Sequence, residues 1–166
     1  MLRDFLKNLN EDAQIISIGI FDRDDAGMKA LNEINYPAKQ DDDWKVSMQR
    51  KAGCFTLPIP SGRQEYADNK NLCIEYYFDD ETVASKNADG RGLSFSIYLD
   101  RKEVPVEDDP ALGEKYPESR KIKDDGGKMV FAREIVPTLQ VTAFENFKPV
   151  FEKVLKLIGT IEESYE

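Results

Sequence analysis

Histidine is missing from all 166 residues. That absence excludes Ser-His and Cys-His nucleophilic catalysis within the chain, and histidine-based zinc chemistry with it. Cysteine is scarce: Cys54 and Cys73 sit in apolar surroundings without metal-ligand spacing, so buried reduced thiols are expected rather than a disulfide or a zinc site. No apolar run approaches the roughly 20 residues a helix needs to cross a bilayer. The N-terminal MLRDFLKNLNEDAQ carries acids among its apolar residues instead of a continuous signal-peptide core, so no membrane contact is expected and cytoplasm is the expected location. Basic residues are in deficit, 23 Lys and Arg against 32 Asp and Glu, for a net charge of −9. A surface that grips nucleic acid unaided is thereby disfavoured, though an enzyme whose grip comes from metal ions or another subunit is not.

What is present suits a globular protein: 40% hydrophobic and 33% charged residues over a length that can bury a core. One domain over 1–166 is expected. Its organising stretch is Gln14 to Gly27, QIISIGIFDRDDAG. The isoleucine-rich part reads as a strand buried on both faces, as in a parallel sheet covered by helices. Asp22, Asp24 and Asp25 follow, then Ala26-Gly27 and a helical pattern through Met28, Ala30, Leu31 and Ile34. Carboxylates at the C-terminal edge of a parallel strand occupy the usual ligand position of open α/β sheets. Three of them within four residues repel one another unless solvated or neutralised by a divalent cation. They can equally cap the helix that follows and complement its dipole.

Elsewhere the patterns are shorter. Residues 2–10 space their apolar side chains as an amphipathic helix, and Asn35-Tyr36-Pro37 ends the helix after the aspartates. Asp41-Asp42-Asp43 reads as a solvated loop. Ala52 to Ile59 predicts a short or edge strand because of Pro58 and Pro60. Leu72 to Phe78 is ambiguous between strand and first helical turn, with the Asp79 to Val83 continuation leaning to helix. Within it, Glu75 reads either as a surface residue or as a further carboxylate ligand, and Tyr76-Tyr77-Phe78 as core rather than a base-stacking platform. Gly90-Arg91-Gly92 is a turn, and Leu93 to Leu99 alternates as a half-buried strand. Arg101 to Asp125 lacks periodicity and is expected as a long surface loop. Lys128 to Val136 predicts a helix capped by Asp124 or Asp125 and ended by Pro137. A last helix begins near Lys148 with Pro149 in its first turn, Phe144 and Phe147 packing before it, and Val150, Phe151, Val154, Leu155 and Ile158 as its apolar stripe.

Several motifs contain D-x-D. An EF-hand loop counted from Asp22 matches at its first, third, sixth and twelfth positions (Glu33 the last), but its fifth is Ala26 and a strand precedes it. A haloacid-dehalogenase motif wants threonine or valine where Ala26 stands. IGIFDRDDAG resembles instead the D-x-D segment of the topoisomerase-primase (TOPRIM) fold, in which a hydrophobic strand ends in D-x-D and an A-G pair opens the next helix. CIEYYF, KMVFAREIVP and FENFKPVFEKVLKLI extend the resemblance toward TOPRIM nucleases fused to ATPases, of the overcoming-lysogenization-defect type that serve phage defence. The resemblance implies an α/β fold with a mostly parallel central sheet flanked by helices. It implies a nuclease acting on DNA or RNA phosphodiesters, with Mg²⁺ or Mn²⁺ held by Asp22, Asp24 and Glu75, and an ATPase partner. Lys128, behind Gly126-Gly127, would contact phosphate; it belongs to no P-loop, since GxxxxGK[ST] is absent. The family pattern also has an earlier strand ending in glutamate. Here thirteen residues precede the DxD strand and Glu11 follows no strand, so the expectation is a domain truncated on its N-terminal side. The missing carboxylate would then come from an upstream segment or a partner. The rival expectation is a non-catalytic module that docks on a partner subunit through an exposed sheet edge.

Overall fold

A computed structural model of the protein describes residues 15–35, 40–41, 43–47, 50–66, 71–99, 102–105, 120–123 and 125–164. The helix expected over 2–10, Tyr36-Pro37, Asp42 and Asp124 lie outside them. The chain is mixed α/β and divides into two compact units. The first comprises Met1–Pro60, Leu72–Ile74 and Phe147–Glu166; the second comprises Ser61–Asn71 and Glu75–Asn146.

In the first unit, β1 (Ser17–Phe21) and the two-residue β2 (Arg23–Asp24) lead into α1 (Asp25–Glu33). They are followed by β3 (Gln40–Asp41), β4 (Trp44–Val46) and β5 (Ala52–Thr56). The sheet order is β1-β5-β4-β3. β1 and β5 run parallel, Ser17 opposite Ala52 and Phe21 opposite Thr56, while β5–β4 and β4–β3 are antiparallel. The expectation of a mostly parallel sheet is therefore corrected: in this four-stranded sheet one pair, β1–β5, is parallel and the other two are antiparallel. β1 is also not the central strand. It ends the sheet order, with Ile20 39% exposed while Gly19 and Phe21 are buried.

The strand covered on both faces is β5, which was expected short or at an edge and is buried at all five positions. Its prolines come after it, so its ladder is intact. Alternation along the strand explains its cover. Ala52 and Cys54 join Phe21 with Leu31 and Ile34 from α1 and its cap, while Gly53 turns the other way, toward Leu157 and Ile161 of the last helix. α1 ends at Ile34, whose carbonyl accepts from Lys45 Nζ at 2.8 Å, a cation placed where the helix dipole is negative. The last helix runs over Lys148–Glu163 with Pro149 in its first turn, as expected, but its buried residues are Val150, Leu157 and Ile161. Phe151 and Leu155, expected in the buried stripe, are 62% and 68% exposed. Contact with Gly53 of β5 rotates the buried face toward residues 157 and 161, and a stripe read from hydrophobicity alone cannot register that rotation.

The chain leaves the first unit after Pro60 and returns briefly at Leu72–Ile74, just after β6 (Asn71–Leu72) begins. The ambiguous 72–78 stretch resolves into a 3₁₀ turn, Ile74–Tyr77, and the helical continuation is α2 (Asp80–Ala84), capped by Asp79. The second unit's sheet is antiparallel, β8-β7-β9, with β7 (Phe95–Leu99), the strand expected within 93–99, in the middle; Ser96 and Ile97 are both buried there. Its partners β8 (Lys102–Pro105) and β9 (Arg120–Ile122) come from the stretch expected as loop, which is thus corrected at both ends. Strands of three and four residues rich in Lys, Arg and Glu are too short and polar to show alternation, and β7 supplies their register from across the sheet. Helical structure over 127–138 is present but changes winding. α3 (Gly127–Val130) widens to a π turn at Phe131–Ile135 and tightens to 3₁₀ at Val136–Thr138, where Pro137 stops it. The last helix of the chain is then α4. Phe144 lies in a 3₁₀ segment, Val141–Phe147, and meets Phe78 edge to face at 5.3 Å. No helix among the described residues is long and apolar enough to cross a membrane.

Candidate functional site

The carboxylates that dominate the sequence are positioned by the turn from β1 to α1. β1 closes with Phe21, whose carbonyl accepts from Leu57 N–H at 2.9 Å. Asp22 follows, and Asp24 takes the extended N-cap conformation, its Oδ1 accepting from Gly27 N–H at 2.6 Å. Asp25 occupies the first helical turn, where the dipole favours an acid. Helix capping by Asp24 is thus part of its role. The glycine of the A-G pair has a steric origin: a Cβ on Gly27 would stand 2.0 Å from the Asp22 carbonyl oxygen and 3.2 Å from Asp24 Oδ1. The helix can begin this close to the strand end only without a side chain there. The result is a depression of about 370 Å³ lined by Ile20, Phe21, Asp22, Asp24, Gly27 and Ala30.

Between the two aspartates, Arg23 is held by its neighbours. Its Nε donates to the Leu57 carbonyl at 2.9 Å, and its Nη2 lies 3.8 Å from Asp43, which also receives Lys153 Nζ at 3.2 Å. Asp43, expected as part of a solvated acidic loop, is instead a bridge between two cations. Trp44 beside it has Lys153 and Lys156 each 5.9 Å from its ring centre.

Among the described residues of the first unit, Asp22 and Asp24 are two carboxylates on one depression that could hold a hard cation. An ion there would be only partly caged by protein, because Asp24 Oδ1 is committed to the helix cap. Mg²⁺ accepts one or two carboxylates and completes its shell with waters and phosphate oxygens. Among the described residues, no group of three or more His, Cys, Asp or Glu is gathered as a metal site.

Glu75 and Lys128 belong to the second unit, and there the structure brings them together. Glu75 lies in the 3₁₀ turn at 74–77 and is only 8% exposed, so its reading as a surface residue is corrected. Lys128 Nζ stands 3.4 Å from Glu75 Oε1, and Oε2 is buried without a hydrogen-bond partner. A lysine so engaged is neither an ordinary solvated side chain nor free to hold phosphate unless the pair opens. A buried carboxylate in a low-dielectric setting is costly unless paired, which accounts for the contact. Tyr76, Tyr77 and Phe78 are buried, as a core reading required; Phe78 also meets Phe131 edge to face at 5.5 Å.

Two concavities of the second unit went unnoticed in the sequence. One, of about 650 Å³, is acidic, with Asp79, Glu81 and Glu134 on its wall and Asn87 Nδ2 donating to Glu134 Oε2 at 2.5 Å. The other, of about 440 Å³, lies between the Gly90–Gly92 and Asp125–Gly127 loops. The signal for the second was present in two glycine pairs: GRG, which reads as a turn, and DGG, which reads as the start of the helix carrying Lys128. Cys54 and Cys73 are both buried, as expected, and burial pushes the Cys54 thiol up to about 12 against the pull of Lys45. No family model, no curated protein and no solved structure matches this chain.

Proposed function

We propose that the Asp22–Gly27 turn is a Mg²⁺ or Mn²⁺ site for phosphoryl chemistry, and that the chain is a TOPRIM-like nuclease domain, or part of one, acting on nucleic-acid phosphodiesters. The observation that carries this reading is that Asp22 and Asp24 line one depression at the C-terminal end of a parallel strand, directly before a helix. A divalent ion bound there would polarise a phosphoryl oxygen and activate water. The chain's own residues supply the positioning. Gly27 N–H holds Asp24 Oδ1, the Asp22 carbonyl fixes how close α1 can start, and the Leu57 carbonyl keeps Arg23 Nε in place. DNA or RNA as substrate rests on the resemblance of DRDDAG, and an ATPase as partner on the looser resemblance of CIEYYF, KMVFAREIVP and FENFKPVFEKVLKLI. Glu75 as a further ligand likewise rests on the resemblance; its Oε1 lies 3.4 Å from Lys128 Nζ.

Calorimetric titration of the whole chain with Mg²⁺ and Mn²⁺ tests the reading. Saturable heat in the millimolar range is expected, and its loss in the Asp22→Asn, Asp24→Asn double variant, in which asparagine preserves the cap. Silence in the wild type, or equal heat in the variant, overturns it. A cleavage assay with Mn²⁺ on DNA and RNA then decides whether binding becomes chemistry.

A second reading has its own observation. β1 ends the sheet order among the described residues, and Ile15 and Ile20 are 76% and 39% exposed beside it. An apolar strand edge suits docking of a partner's strand. Under this reading the metal titration is silent and Ile20→Lys abolishes partner association.

A further inference from the structure

The 440 Å³ cavity of the second unit is built by glycines of two kinds. Gly92 and Gly127 pack backbone against backbone: a Cβ on Gly127 would lie 2.5 Å from the Gly92 carbonyl oxygen, and one on Gly92 would lie 2.5 Å from that of Ser85. Gly90 and Gly126 hold positive φ values of 73° and 87°, and a Cβ on either would meet nothing within 4 Å. Both loops therefore line the cavity as bare main chain, which lets a ligand approach closely.

The side chains around that main chain are not balanced in charge. Lys86 and Arg91 face one carboxylate, Asp125, across the cavity wall. Lys86 Nζ donates to the Leu93 carbonyl at 2.6 Å, a bond that fixes the ammonium without neutralising it. Neither Lys86 nor Arg91 has a carboxylate partner among the described residues. Asp125 is already engaged, accepting from Gly127 N–H at 3.0 Å and from the Ser94 side chain. A chain of net charge −9 thus places two cations and one carboxylate at a glycine-walled cavity, with neither cation ion-paired among the described residues.

We propose that this cavity binds the phosphate group of a small phosphorylated ligand, with the Arg91 guanidinium and the Lys86 ammonium on the phosphate oxygens. The planar fork of arginine meets two oxygens of a phosphate at once, and the ammonium adds a point charge. The cavity volume falls at the small end of the roughly 300–1,000 Å³ of ligand pockets, so it accommodates more than the phosphate itself. No residue is shared with the Asp22–Gly27 depression, and the proposal stands whether or not that site binds metal.

The test is titration of the whole chain with inorganic phosphate and, separately, with adenosine 5′-monophosphate, followed by calorimetry and by amide NMR shifts. Saturable shifts confined to the 90–94 and 125–128 amides are expected with at least one probe. Binding of both assigns the oxyanion alone as sufficient; binding of the nucleotide only assigns a phosphate ester. Arg91→Ala weakens binding about tenfold, and Arg91→Glu abolishes it with an unchanged melting temperature. Arg91 is the variant of choice because its guanidinium makes no ion pair or hydrogen bond among the described residues, whereas Lys86 also braces the Leu93 carbonyl. No shift of these amides at millimolar levels of either probe, or equal binding by Arg91→Glu, overturns the proposal.

Discussion

In the first unit a parallel strand pair, β1–β5, is covered by α1 and α4, and its ligand-facing turn is set by contact; in the second an antiparallel three-strand sheet is accompanied by short 3₁₀, α and π turns, and its open loops are set by backbone conformation. Gly27 and Gly126 show the difference in one residue type. Gly27 exists because the Asp22 carbonyl occupies the place of its side chain, while Gly126 exists because its φ of +87° is left-handed and nothing stands near it. Contact-built sites are intolerant of added atoms. Conformation-built sites leave space, and in this chain the space is lined by two cations, Lys86 and Arg91, and one carboxylate, Asp125.

The sharpest way to break the comparison is to put the same methyl group at both glycines. Gly27→Ala forces a backbone carbonyl to move from a 2.0 Å approach and is expected to cost about 4 kcal/mol, the upper end for a single substitution. Gly126→Ala meets no atom and bears only the left-handed strain, about 1 kcal/mol. Urea denaturation of both variants measures the contrast; equal losses would show that the two turns are built alike.

The next largest effect separates the units by alkali. Cys54 is buried in β5, and its thiol is pushed from 9.0 to about 12, first by burial. A thiol whose folded value is raised binds its proton more tightly when folded, so its contribution is complete below pH 9.0 and is lost as pH rises toward about 12. By about pH 11 the loss is about 3 kcal/mol. Cys54→Ala removes this pH dependence although the cavity it leaves lowers stability at neutral pH. An alkaline melting curve of unchanged slope in the alanine variant would assign the effect elsewhere.

How much of this was legible in the sequence follows the same division. The strand, acidic turn, glycine and helix of 17–33 are visible because each has a local cause: isoleucines, a cap, a steric glycine, helical spacing. What could not be read is which strand lies inside. β1 has the more hydrophobic sequence, yet β5 with its small residues Ala52, Gly53 and Cys54 is the one that both helices can approach. The same blindness to partners rotated the stripe of α4. In the second unit β8 and β9 are defined by β7 alone, and the Glu75–Lys128 contact joins residues 53 positions apart in sequence whose pairing no local pattern encodes. The 90–94 and 125–127 loops come together by backbone packing of two glycines, a contact with no hydrophobic signature.

The smallest predicted effect tests the second unit at acid pH. Asp79 accepts from the backbone N–H of Thr82 at 2.7 Å and from its side chain, and Asp125 accepts from the backbone N–H of Gly127 and from Ser94. These donors favour the ionised carboxylates and hold both below the usual 3.8. A carboxylate depressed on folding contributes stability that is present above 3.8 and is lost as pH falls through its folded value, the reverse of Cys54. Both groups are well exposed, so solvent screens them and the acid loss is modest. Asp79→Ala removes a helix cap at a cost of about 1 kcal/mol at neutral pH, while Asp79→Asn keeps the cap and removes only the titration. If the alkaline limb is set by Cys54 of the first unit and the acid limb by these two carboxylates of the second, the double variant Asp79→Asn, Asp125→Asn flattens the acid limb and leaves the alkaline limb as it was. Movement of the alkaline limb in that variant would show that the two units do not titrate separately.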